Sequence, residues 1–138
     1  MAIRVIRVAL VVLALIALWT GLWATVSPRA FYDNFPGAGH AWVAADGPYN
    51  EHLIRDFGSL NLALAAVTII AAVTLGRAVV IAAAVAWLVV EVPHLVYHAR
   101  HLDVYDSADK PAVLAALALA VVLPIVILVA ESRRRAPT

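Results

Sequence analysis

Four long apolar stretches dominate this sequence and limit what the chain can fold into. They cover residues 8–26, 57–75, 78–99 and 112–130. Each approaches the roughly 20 residues that a helix needs to cross the hydrocarbon core of a bilayer. The sequence therefore predicts an all-α fold, a transmembrane four-helix bundle that forms one domain over residues 1–138.

The first apolar stretch also has features of a secretory signal peptide, because Arg4 and Arg7 precede it. Its apolar run is longer than the roughly 7–15 residues of a signal core, and no clean small-x-small cleavage site follows. We therefore expect residues 8–26 to be a true span.

Composition makes lipid, rather than water, the expected solvent of the chain. The sequence is 64% hydrophobic and 14% charged, with a net charge of +1, whereas soluble domains are nearer half apolar and a quarter charged. A near-neutral chain has no basic stripe for phosphates, which argues against nucleic acid as a partner. The absence of cysteine excludes disulfides, cysteine-bound metals and thiol nucleophiles.

Basic residues are distributed unevenly between the two ends of the predicted spans. Gly76 and Arg77 alone separate the second and third spans, so Arg77 lies on the same side as both termini. That side holds six of the ten basic residues: Arg4, Arg7, Arg77, Arg133, Arg134 and Arg135. The positive-inside rule then places both termini in the cytoplasm and the long segment between the first two spans outside. Because the Ala-, Val- and Arg-rich usage is typical of a high-GC organism, the predicted location is a bacterial cytoplasmic membrane.

The outside segment before the second span is too apolar for a solvated linker. Residues 31–49 contain five aromatic side chains. Loops of this length usually have structure of their own or carry function. Two interpretations stay open, an anchor at the membrane interface and a lid over a site.

A polar stripe marks the outer end of the third span. At about 100° per residue, four titratable residues fall on one helix face: Glu91, His94, His98 and His101. Glu91 should lie several residues inside the membrane boundary. An ionisable group there costs at least about 2.5 kcal/mol and normally faces a partner or a cavity.

A second polar stripe begins the second span. His52, Asp56 and Ser59 share one helix face by their spacing. The topology places this stripe at the same membrane depth as the first. We therefore expect the two stripes to meet.

The chemistry of these two stripes predicts a transition-metal or haem site at the outer leaflet, a site that would suit a redox-linked function. A histidine pair four residues apart and a Glu-x-x-His pair each present two ligands on one helix face. Imidazole and carboxylate without thiolate suit iron, zinc or copper(II). The predicted metal ligands are His94, His98, His52, Glu91 and Asp56, the histidines among them are the candidate haem ligands, and His101, Arg55, Glu51 and His40 are secondary candidates.

Other functions are also compatible with the sequence. A metal-dependent membrane oxidoreductase is one enzyme class that such a site would suit, although no catalytic residue is predicted. A proton-coupled transporter of a small substrate would use Glu91 or Asp56, and a structural cluster would pair Glu91 with Arg55 or a histidine. Alanine-rich helix faces pack closely in lipid, which suits an accessory or scaffold subunit, a homodimer or a larger membrane complex.

Two segments carry a family resemblance. They are Phe31-Tyr-Asp-x-Phe-Pro-Gly37 and Gly47-Pro-Tyr-Asn-Glu-His-Leu-x-Arg-Asp56. Together with four spans and cytoplasmic termini, the chain resembles the DoxX-like group and uncharacterised actinobacterial four-span proteins. DoxX is itself similar to an accessory subunit of a quinone-linked oxidase. The resemblance implies the architecture and leaves the mechanism open.

Overall fold

The computed structural model describes residues 1–134 and is almost entirely helical. Its four long helices are α1 (Ala2–Val26), α4 (Glu51–Thr74), α5 (Arg77–Arg100) and α6 (Asp109–Arg133). Within the described residues, these four are long and apolar enough to cross a membrane. The predicted helical membrane architecture is confirmed to that extent, and each helix extends beyond its apolar run. Arg135, assigned to the cytoplasmic side, lies outside the described residues.

The segment between α1 and α4 has structure of its own. It contains the short helices α2 (Pro28–Asn34) and α3 (Trp42–Asp46), with strands β1 (Pro36–Gly37) and β2 (His40–Ala41) between them. The two strands pair in an antiparallel manner and were not predicted. The α5–α6 connection contains a 3₁₀ turn at Leu102–Val104.

Helix α1 has the most extensive packing of the four long helices. It packs extensively against α4 and against α6, and α5 packs mainly against α6, whereas α4 and α5 have the least contact of these four neighbouring pairs. The core contains Leu10 and Leu13 from α1 with Val80, Trp87 and Ile127 from α5 and α6. Of the neighbouring helix pairs, α4 with α5 is therefore the least tightly packed.

A close contact between α1 and α4 fixes the rotation of α4. A Cβ atom at Gly58 would lie 2.5 Å from the Thr25 hydroxyl oxygen and 2.8 Å from the Thr25 backbone nitrogen. The buried residues of α4 continue this face through Ala65, Thr68 and Ala72. Glycine and alanine allow this approach, as expected for helices in lipid.

The two ends of the bundle differ in their connections. At one end, Leu75 adopts a left-handed conformation with φ 50° and closes the α4–α5 turn. Glu131, near the end of α6, accepts hydrogen bonds there from Arg77 and Arg134. We call this the turn end. The opposite end, which carries α2, α3 and the α5–α6 connection, is the loop end.

Candidate functional site

An apolar cavity of about 580 Å³ lies in the half of the bundle nearest the loop end. All four long helices contribute to its wall, as does the segment between α1 and α4. Leu53 and Phe57 of α4 line it and are also 64% and 36% exposed. The cavity therefore reaches the surface of the bundle along α4.

The polar end of the cavity comes from α5. Glu91 continues the buried face formed by Val80, Ala84 and Trp87, and only 9% of it is exposed. Its Oε2 atom lies 3.4 Å from Nδ1 of His94. The rings of His94 and His98 follow, with centroids 4.8 Å apart. All three side chains line the cavity, so three of the four residues in the stripe predicted on the third span face a cavity.

Tyr105 extends this polar end from the α5–α6 connection. Its hydroxyl lies 3.0 Å from Nδ1 of His98, and only 5% of the residue is exposed. Burial, together with the nearby Asp46 carboxylate, raises the pKa of Tyr105 to about 12. The phenol therefore keeps its proton at neutral pH and can donate it to His98 in a hydrogen bond.

The segment between α1 and α4 covers the cavity. Trp42, Val43 and Asp46 of α3 line it, as do Phe31 and Phe35. The Nε1 atom of Trp42 is buried and has no hydrogen-bond partner within residues 1–134. This placement over the cavity is the one that a lid would require, and the membrane anchor stays the other prediction for the segment.

The stripe predicted on the second span faces elsewhere. His52 Nε2 lies 3.3 Å from Asp56 Oδ2, and these side chains are 87% and 56% exposed. Neither belongs to the cavity wall. His52 precedes the buried Ile54 by two residues, and Asp56 precedes the buried Gly58 by two residues. Two residues correspond to a rotation of about 200° around the helix axis, so His52 and Asp56 lie on the side of α4 opposite the face that packs against α1. The structure therefore does not bring the two polar stripes together.

The secondary candidates also lie outside the cavity wall. His101 bonds the Tyr97 carbonyl through Nδ1 at 2.8 Å and stacks on the Tyr97 ring. Arg55 pairs with Glu51 at 2.9 Å and donates to the Thr25 carbonyl. His40 pairs with Asp109 at 2.6 Å.

The predicted ligands do not assemble into a metal centre. In the described part of the chain, no group of three or more histidine or acidic side chains is arranged to hold a metal ion. The haem prediction gains no support from this wall, because the described residues that line the cavity include neither arginine nor lysine to pair with its propionates. His94 and His98 also project from one face of one helix, so they cannot bind opposite faces of one haem.

Three side chains that the connecting segments contribute to the polar end and cover of the cavity were not among the predicted candidates: Trp42, Asp46 and Tyr105. They come from connecting segments whose path across the bundle no helical periodicity describes. For Trp42 and Asp46, the sequence signal was the aromatic content of residues 31–49, the segment that contains them.

Comparisons with known protein families, with curated proteins and with solved structures give no match to this chain, so its resemblance to the DoxX-like group stays a prediction.

Proposed function

We propose that this protein is a multi-pass membrane protein that binds a small, largely apolar molecule in the cavity near the loop end. Glu91, His94 and His98 would contact the polar part of that molecule. The observation that carries the proposal is the position of Glu91, a nine-tenths buried carboxylate in the wall of a 580 Å³ apolar cavity. Cavities of roughly 300–1,000 Å³ with a few convergent polar groups are typical of small-molecule sites.

The cost of burying Glu91 supports a ligand-binding role over a purely structural one. An ionisable group within a membrane-spanning helix normally has a partner or lines a cavity. Glu91 has His94 nearby at 3.4 Å, which is longer than a strong charge-assisted hydrogen bond. A ligand that donates a hydrogen bond would satisfy the carboxylate more completely.

The exposed part of the wall supports entry from lipid. Leu53 and Phe57 lie both in the cavity wall and on the exposed surface of α4. A molecule dissolved in the surrounding leaflet would reach the cavity along this surface without crossing water.

The packing below the cavity supports binding over passage through the bundle. Trp87 is 1% exposed and forms the floor, and Leu10, Val80 and Ile127 fill the core beyond it, each at 0%. A transport path to the turn end would require this core to open. Binding is therefore the function that the geometry supports best.

An uncharged fluorescent probe, N-phenyl-1-naphthylamine, tests this proposal on purified protein in detergent micelles. We expect saturable energy transfer from tryptophan to the probe at about one site per chain. Ala116 lines the cavity and its neighbour Ala115 does not, so Ala116→Phe should abolish the saturable part and Ala115→Phe should leave it unchanged. Equal, non-saturable transfer in all three proteins would contradict the proposal.

Elemental analysis of protein purified without chelator tests the metal prediction separately. If the protein contains stoichiometric iron, zinc or copper and the His94→Ala variant does not, the site binds a metal ion and the proposed organic ligand is wrong.

A further inference from the structure

Within the described residues, the two carboxylates of the cavity wall have no arginine partner, in contrast to three of the other acidic residues. Three acidic residues elsewhere in the described chain pair with arginine: Asp33 with Arg29, Glu51 with Arg55, and Glu131 with Arg77 and Arg134. Within residues 1–134, the contacts of Glu91 and Asp46 are instead His94 at 3.4 Å and the Tyr97 hydroxyl at 3.4 Å. Their negative charge therefore faces a cavity whose described wall contains no permanent positive charge.

Aromatic side chains form much of the remaining wall. Six of them line the cavity: Phe31, Phe35, Trp42, Phe57, Trp87 and Tyr105. The face of an aromatic ring attracts a cation, and the attraction strengthens where water is excluded. Carboxylates combined with aromatic rings are the groups that recognise ammonium ions.

The same wall disfavours anionic amphiphiles. A fatty acid carboxylate or a lipid phosphate would need arginine, lysine or a set of free N–H donors. Among the described residues, Nε1 of Trp42 is the one fully buried side-chain donor of this wall that has no hydrogen-bond partner. Glu91 and Asp46 would repel an anion at the polar end.

We propose that the molecule bound in this cavity is a lipophilic organic cation, an amine or quaternary ammonium compound with an apolar body. Its positive charge lies at Glu91 and Asp46, and its apolar body contacts Phe57 and Trp87. This inference rests on the proposed function, because it assumes that the cavity binds a small molecule.

Two ions of nearly equal size and opposite charge test this proposal directly. Tetraphenylphosphonium and tetraphenylborate differ in the sign of their charge and share one shape. We expect tetraphenylphosphonium to bind purified protein saturably, at least about tenfold more tightly than tetraphenylborate, as the loss or gain of one charged contact implies. Calorimetric titration in uncharged detergent micelles and sodium buffer measures both affinities.

Substitutions of carboxylates locate the charge. Glu91→Gln and Asp46→Asn should each weaken tetraphenylphosphonium binding, by about tenfold for Glu91. Glu51→Gln is the matched control, because Glu51 lies outside the cavity wall. The affinity of this variant for tetraphenylphosphonium should stay within about twofold of the wild-type value. The comparison of the two ions on unmodified protein keeps the test valid if Glu91→Gln does not fold.

The outcomes separate this inference from the proposed function. Equal binding of the two ions, alongside saturable binding of N-phenyl-1-naphthylamine, would overturn the cation preference and leave the binding function in place. Tighter binding of tetraphenylborate would also overturn it. If none of the three probes binds saturably, both proposals are wrong.

Discussion

Trp87 of α5 donates a hydrogen bond from Nε1 to the Thr68 hydroxyl of α4, over 3.0 Å, at the floor of the cavity. Both residues are fully buried, at 1% and 0% exposed. Thr68 in turn donates to the Leu64 carbonyl at 2.7 Å. Because α4 and α5 have the least contact of the neighbouring helix pairs, this bond fixes the Trp87 ring where the two helices have few other contacts.

Replacement of Thr68 by valine should destabilise the bundle by about 1 kcal/mol. The side chain keeps its shape and loses the acceptor for Trp87, and such bonds between membrane helices are worth about 0.6 kcal/mol on average. Thr74→Val is the control, since Thr74 bonds its own helix through Ile70 in the same way and lies on the surface. Unfolding in dodecyl sulfate mixed micelles measures both, and equal losses would show that the Trp87 bond contributes nothing.

Glu131→Gln should destabilise the turn end. Glu131 is 2% exposed and lies 2.8 Å from Arg134 and 3.4 Å from Arg77. Both arginines are partly exposed, so we expect about 2 kcal/mol, less than for a fully buried pair. Glu51→Gln breaks an exposed pair with Arg55 and should cost about 1 kcal/mol or less. A smaller loss at Glu131 than at Glu51, in the same unfolding assay, would contradict the buried role of Glu131.

Helical periodicity explains what could be predicted from the sequence. The apolar runs predicted the four long helices. Asn50 is of a residue type preferred at helix N-caps, and at the start of α4 its side chain accepts a hydrogen bond from the Leu53 amide. The spacing of Glu91, His94 and His98 correctly placed them on one face of α5. The geometry of a single helix determines which residues share a face, so the sequence spacing is enough to predict it.

Periodicity does not determine which neighbour a face meets. His52 and Asp56 share a face as predicted, yet the contact of Gly58 with Thr25 rotates that face away from the cavity. Tyr105 reaches His98 because the α5–α6 connection folds back over the end of α5. Tertiary packing and loop paths decide these placements, and neither has a local signal in the sequence.

Cysteine accessibility tests the predicted orientation of the bundle. The chain has no cysteine, so single substitutions report without background. Ser107 lies at the loop end and Ser132 at the turn end, and both are exposed. In intact cells, a membrane-impermeant maleimide should label Ser107→Cys and leave Ser132→Cys unlabelled until the cells are opened. The reverse pattern would place the termini outside and overturn the positive-inside assignment.

Tyr105 should titrate well above an ordinary tyrosine. Its pKa is raised from 10.0 to about 12, so between these values the folded chain keeps a proton that the unfolded chain has lost. The native state then binds more protons, and raising the pH across this range favours unfolding. Ultraviolet titration should show one tyrosinate forming near pH 12 that is missing in Tyr105→Phe, and the variant should lose less stability over that range. Identical titration curves would contradict the buried position of Tyr105.

Competitive photolabelling measures occupancy of the cavity most directly. An uncharged aryl diazirine is activated on the protein in lipid nanodiscs, with and without excess N-phenyl-1-naphthylamine, and labelled peptides are mapped by mass spectrometry. We expect the competitor to suppress labelling at the wall residues Phe57, Trp87 and Leu117 and to leave labelling at the exposed Val73 and Val89 unchanged. Labelling at the wall residues that the competitor does not reduce would contradict a binding site in this cavity.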